Sequence, residues 1–206
     1  MSARTPRLLA LTLLALAALA WRSDPEASGR AAEPAPLGRG IGVNSLAALS
    51  WLPAEKGEPK VTEVPEAVVK KFSLDTAFYK KHLDYKGFSI LSSAKVSDEA
   101  LLEARYLIDQ LLCDREDILK AMIKRGCRFM VMAPTEMTTD VPEQRHLKND
   151  PRTNWDKRAR GLGGRLSSCG EENLLNLRGD RYNRESILIH EFNHAIHQQG
   201  LRVIEP

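Results

Sequence analysis

Residues 184–200 read Arg184-Glu185-Ser186-Ile187-Leu188-Ile189-His190-Glu191-Phe192-Asn193-His194-Ala195-Ile196-His197-Gln198-Gln199-Gly200. The pattern predicts one helix from about Arg184 to a stop at Gly200. Ile187, Leu188 and Ile189 lead into the motif, and Ala195 and Ile196 follow it, so the helix has an apolar back to bury. At 3.6 residues per turn, His190 and His194 differ by about 40° in direction and stand one turn apart. Both imidazoles therefore face the same ion. A zinc ion (Zn2+) suits two neutral imidazoles, a third protein ligand and one position left open. Glu191, next to the first histidine, can lean over that open position and serve as general base for an attacking water, passing the proton to the leaving amine. The plainer alternative is an ordinary core helix with its histidines and Glu191 in solvent.

Position 197 is close to the same face, but the helix rises about 10 Å from His190 to His197, which favours a supporting or surface role. The longer pattern His-Glu-x-x-His-x-x-Gly-x-x-His fails, because His197 stands where it has glycine and Gly200 where it has histidine. The motif resembles the zincin metallopeptidases and, within them, the gluzincin branch. The stretch from Gly161 through Ser168-Cys169-Gly170-Glu171-Glu172-Asn173 to Asp180-Arg181-Tyr182 is also similar in texture to secreted bacterial peptidases of the lethal-factor type.

The resemblance implies an α+β zincin-like metallopeptidase domain with a small sheet. It implies His190 and His194 as metal ligands, Glu191 as the catalytic base and a protein or peptide as substrate. In gluzincins the third ligand is a glutamate on a later helix, yet only 12 residues follow His194, and Glu205 is the only carboxylate among them. The C-terminal subdomain is therefore expected to be missing. Either the chain is a truncated, inactive relative acting as a binding module, or an upstream residue such as Glu171, Glu172 or Asp180 completes the site. Gluzincins also pair substrate backbone with an edge strand, for which Asn173–Leu177 is the candidate unless it is a core strand, and steady the oxyanion with a Tyr or His, for which Tyr182 is available unless it only packs.

Working outward from the motif, Glu172–Leu177 reads as a short strand and Gly161–Gly164 as a flexible turn. A phosphate-binding loop is excluded there, since neither the lysine-Ser/Thr ending nor the following helix is present. Residues 135–160 are polar, without an apolar period, and read as surface loop. Further upstream, Phe88–Leu91 reads as a strand and Ser97 as an N-cap opening a helix that runs through Leu112. A second helix spans Glu116 to Arg125 with Gly126 as its stop, and Phe129–Ala133 reads as a buried strand. Strand, helix, helix, strand is an α/β or α+β signature.

Residues 1–20 have the layout of a secretory signal: Arg4 and Arg7, an apolar run from Leu8 to Leu19, and Ala18-Leu19-Ala20 as a cleavage site. The apolar run is short for a retained anchor. Cleavage near Ala20 places the mature chain outside the cytoplasm, secreted or periplasmic, with no stable membrane span. Residues 21–63, rich in Ala, Pro, Gly and Glu, read as a tether or loosely packed arm, with the catalytic domain at 64–206. Losing Arg4 and Arg7 lowers the formal charge from +3 to +1, which argues against nucleic acid as a partner. In an oxidising compartment Cys113, Cys127 and Cys169 allow one disulfide, Cys127 with Cys169 being favoured, or three buried thiols. No two cysteines have the short spacing of a cysteine zinc site.

Overall fold

A computed structural model describes residues 58–204. The signal segment, the first part of the tether (21–57) and Glu205 lie outside the described residues. The first elements among the described residues are β1 (Thr62–Glu63) and α1 (Glu66–Phe72). A hairpin, β2 (Lys81–Tyr85) and β3 (Phe88–Ser92), leads into α2 (Asp98–Leu112), α3 (Glu116–Lys124) and β4 (Arg128–Met132). Two 3-10 segments, Thr138–Asp140 and Pro142–Asn149, precede α4 (Trp155–Arg158), β5 (Gly161–Leu162) and β6 (Leu166–Gly170). The remainder is helical: α5 (Glu171–Leu174), α6 (Ile187–Ala195), a π-turn (Ile196–Leu201) and α7 (Arg202–Ile204).

The strands form one six-stranded sheet in the order β1-β2-β3-β4-β6-β5. Its centre is parallel, with Leu91 opposite Met130 and Met130 opposite Ser168, and both edges are antiparallel. Parallel neighbours require crossovers, and α2 with α3 supplies the one between β3 and β4. Both faces of the sheet are covered. Phe88, Ile90, Phe129 and Val131 meet α2, α3 and α6 on one side, while Leu91, Met130 and Met132 meet Val68, Val69 and Phe72 of α1 on the other. Every residue of β3 is buried as a result. The protein is thus α+β, as its pattern of elements leads one to expect. Among the described residues, no helix is long and apolar enough to cross a membrane.

Local signals are reproduced where they are strong. Ser97 Oγ accepts a hydrogen bond from Ala100 N at 3.3 Å, capping α2, and Gly126, with φ +76°, follows α3. Four expectations are corrected. Glu172–Leu177 is not a strand: α5 occupies its first half, and Asn176 breaks the chain with a left-handed φ of 52°. The strand lies just upstream, in β6, where Ser167, Ser168 and Gly170 give no apolar alternation. Residues 135–160 are more than surface loop, since Thr138, Val141 and Gln144 are buried. The last helix starts at Ile187 and does not stop at Gly200, running on through a π-turn to Ile204. Gly200 is required by close packing, because a Cβ there would lie 2.6 Å from Ile118 Cγ2.

The favoured disulfide is the fourth correction, since all three cysteines are free. Arg128 pairs with Leu166 and Val131 with Cys169, so Cys127 stands about four residues along the ladder from Cys169. At about 3.3 Å per residue that is roughly 13 Å, twice the Cα span of a disulfide. Burial also pushes the Cys127 thiol up to about 11. Cys113, by contrast, is exposed at the end of α2.

Candidate metal centre

Helix α6 is anchored by its back. Phe192 is fully buried, with edge-on contacts to Phe88 at 5.7 Å and Phe129 at 6.0 Å between ring centroids. Ile187, Leu188 and Ala195 complete that face. Its start is fixed twice. Ser186 Oγ accepts from Ile189 N at 3.4 Å, and Asn173 Oδ1 accepts from Ile187 N at 2.8 Å. The Asn173 amide nitrogen donates to Asp180 Oδ2, Tyr182 O and Glu185 O at 2.9–3.1 Å, tying the approach loop to α5. Sequence reasoning missed Asn173 as an organising residue, because its partners lie 7 to 14 positions away.

With its back held, α6 presents His190 and His194 to solvent and leaves Glu191 half-buried between them. The two Nε2 atoms are 3.3 Å apart, and the rings stand nearly perpendicular at 79°. Two nitrogens bound to one tetrahedral zinc at about 2.05 Å would be separated by about 3.3 Å. A direct N–H···N bond prefers about 2.9–3.0 Å. The donor set therefore fits a shared cation. The ligand atoms of His190, Glu191 and His194 all lie within 4.8 Å of one another, the only such group among the described residues.

The proposed upstream ligands are not brought to this group. Glu171 accepts from Ser97 N at 3.0 Å, Glu172 is locked to Arg160, and Asp180 holds Asn173 and Tyr182 N. Tyr182 reaches the cleft, but its hydroxyl donates to Arg158 O at 2.6 Å. His197 is exposed on the π-turn, outside the group.

The edge strand beside the centre is β5, not Asn173–Leu177. Among the described residues it pairs only with β6, Gly161 opposite Cys169, and borders a cleft of about 290 Å³ with Tyr182, Glu185, His190 and Glu191. The supposedly flexible turn is thus a wall of the site. Just after β5, Gly163 lies against the helix: a Cβ there would be 2.9 Å from Glu191 Oε2 and 3.0 Å from His194 Cβ. Burial raises the Glu191 carboxyl above its ordinary range, opposed by the two imidazoles and the Gly163 N–H and reinforced by Glu185.

Gly163→Ala is accordingly expected to crowd the Glu191 carboxylate first, and to press on the α6 backbone at Glu191 O and on His194 Cβ. If Glu191 is the base, turnover per bound metal ion falls about a hundredfold, read from steady-state rates and metal content. Unchanged turnover would mean that this close approach does not position Glu191.

No protein-family model matches the chain, and no significant similarity to a curated protein or a solved structure is found.

Proposed function

We propose that the chain is a zinc-dependent metallopeptidase of zincin type, acting on proteins or peptides outside the cytoplasm. One observation carries the reading: two imidazole nitrogens held 3.3 Å apart on a rigid helix, with a half-buried carboxylate between them at an open cleft. His190 and His194 would hold the zinc, which supplies Lewis acidity to polarise a carbonyl and to acidify water. Glu191 takes the proton of the attacking water and delivers it to the leaving nitrogen. Its partly desolvated site and the Gly163 N–H keep the carboxylate aimed at the cleft. The outer edge of β5 would offer backbone groups to an extended peptide, whose scissile bond would then lie beside Glu191.

A second reading, a non-catalytic relative that binds metal weakly, is favoured by one observation. No further His, Cys, Asp or Glu joins the three ligand atoms among the described residues. Zinc content of the purified mature chain separates the two. About one equivalent, lost in His190→Ala, is expected for the peptidase. A substoichiometric content insensitive to His190→Ala would leave the binding module.

A further inference from the structure

The cleft beside β5 has apolar walls and no excess of charge. Trp155, Ala159, Leu162 and Tyr182 are half-buried in its lining, and Ile187 is buried there. Gly161 seats β5 directly on Ile187, because a Cβ on it would collide with Ile187 Cγ2 and Ser168 O. His190 and Glu191 belong to the metal group. Two further charged residues of the lining, Arg158 and Glu185, are exposed and opposite in sign. The remaining one, Arg160, is buried and saturated by Glu172 and the carbonyls of Glu136 and Ala133. Nothing in this set selects a charged side chain.

The two aromatic walls are pinned by their polar ends. Trp155 Nε1 donates to Asp150 Oδ2 at 3.0 Å, and the Tyr182 hydroxyl donates to Arg158 O at 2.6 Å. Tyr182 N donates to Asp180 Oδ1 at 2.8 Å. The Arg181 guanidinium lies 5.8 Å from the Tyr182 ring centroid, and its Nη1 donates to Lys157 O at 3.1 Å. The approach loop and α4, 24 residues apart in sequence, are thus clasped together at the cleft. With their donors satisfied elsewhere, Trp155 and Tyr182 leave ring carbon rather than hydrogen-bonding groups for a ligand. Walls held in this way lose little freedom when something binds against them.

We infer that the cleft is a specificity pocket that takes one aromatic side chain of the substrate, from a residue next to the scissile bond, against Trp155 and Tyr182. The inference deepens the peptidase reading and rests on it. At about 290 Å³ the cleft is at the small end of ligand cavities, which run to about 300–1,000 Å³, and that suits one side chain rather than a run of them. A ring fits better than an aliphatic chain, because ring walls add edge-to-face or offset contacts to the apolar burial. Since Glu191 lines the same cleft, a side chain seated there holds the neighbouring peptide bond close to the metal group.

The test has a binding arm and a cleavage arm. In the first, the N-acetyl amides of Phe, Leu, Ala, Glu and Lys are titrated into the mature protein, and the Trp155 indole N–H resonance, assigned by its loss in Trp155→Phe, is followed by NMR. The Phe amide is expected to move that resonance and to bind about tenfold or more tightly than the Ala amide, with Leu between them. In the second arm, quenched peptides varied at the residues flanking the scissile bond are compared by kcat/KM, where Phe is expected to exceed Ala by a similar factor. Ala159→Phe fills the cleft while Trp155 and Tyr182 stay, and it should bring the Phe-to-Ala ratio close to one in both arms. Trp155→Ala removes one wall and should lower the same kcat/KM ratio, which decides the matter if Ala159→Phe does not fold.

Selective binding of the Phe amide without cleavage of any peptide would keep the pocket and remove the peptidase reading. Cleavage with no preference for Phe, or with a preference surviving these substitutions, would overturn the inference and leave the peptidase. Tightest binding of the Leu, Glu or Lys amide would also overturn it.

Discussion

Glu191→Gln is expected to lower kcat on a quenched peptide by about three orders of magnitude while zinc content stays the same. The amide has the size of the carboxylate and an oxygen able to accept from the Gly163 N–H, so the packing seen around Glu191 persists. His190 and His194 are untouched, so metal is retained. What disappears is the basic oxygen, and general acid–base catalysis of this kind contributes about 10²–10⁴-fold. The lower bound matters most. A loss under about tenfold with full zinc occupancy would remove Glu191 from the mechanism, because no transferable proton would then depend on it.

The second large effect is on stability and lies away from the histidines. Glu172→Ala is expected to cost about 3–5 kcal/mol and to lower Tm by about 10 °C or more. Arg160 is only 5% exposed, and its guanidinium donates to both Glu172 oxygens, at 2.5 and 2.9 Å. Its remaining donors reach the carbonyls of Glu136 and Ala133, the latter at 3.1 Å. Removing the carboxylate leaves a buried cation with only neutral partners, the costly half of breaking an ion pair. Glu116→Ala is the control. Its pair with Lys120 is 3.0 Å long but exposed, with side chains 61% and 75% accessible, and such pairs contribute little. A Tm shift from Glu172→Ala as small as that of the control would show that the buried pair does not hold this region. The consequence reaches the candidate site, since Arg160 directly precedes β5, the wall that brings Gly163 onto Glu191.

Residues 88–133 were legible because their signals are local. Ser97 caps its own helix, Gly126 ends the next, and β3 and the apolar run Phe129–Met132 of β4 are buried throughout. The pairing of His190 with His194 was legible for the same reason, since i and i+4 on any α-helix lie on one face. The strand assignment around residue 170 failed because β6 is buried by its neighbours rather than by its own hydrophobicity. Ser168 sits in the sheet at 0% exposure because its hydroxyl accepts from Leu162 N at 3.1 Å. Leu174 and Leu175, which looked like strand residues, instead pack against the core from α5 and the turn after it. The cysteine pairing was illegible because register separates residues that composition treats as equivalent.

By itself the sequence determined a mixed chain of strands and helices and a helix that shows two histidines and a glutamate together. Those outcomes depend on periodicity and caps spanning a few residues. Only the tertiary structure decided that Gly161–Leu162 is the edge strand beside that helix, and that Glu171, Glu172 and Asp180 are engaged elsewhere. Each of these depends on which distant groups satisfy a buried charge or a backbone N–H, and that pairing exists only once the sheet has assembled.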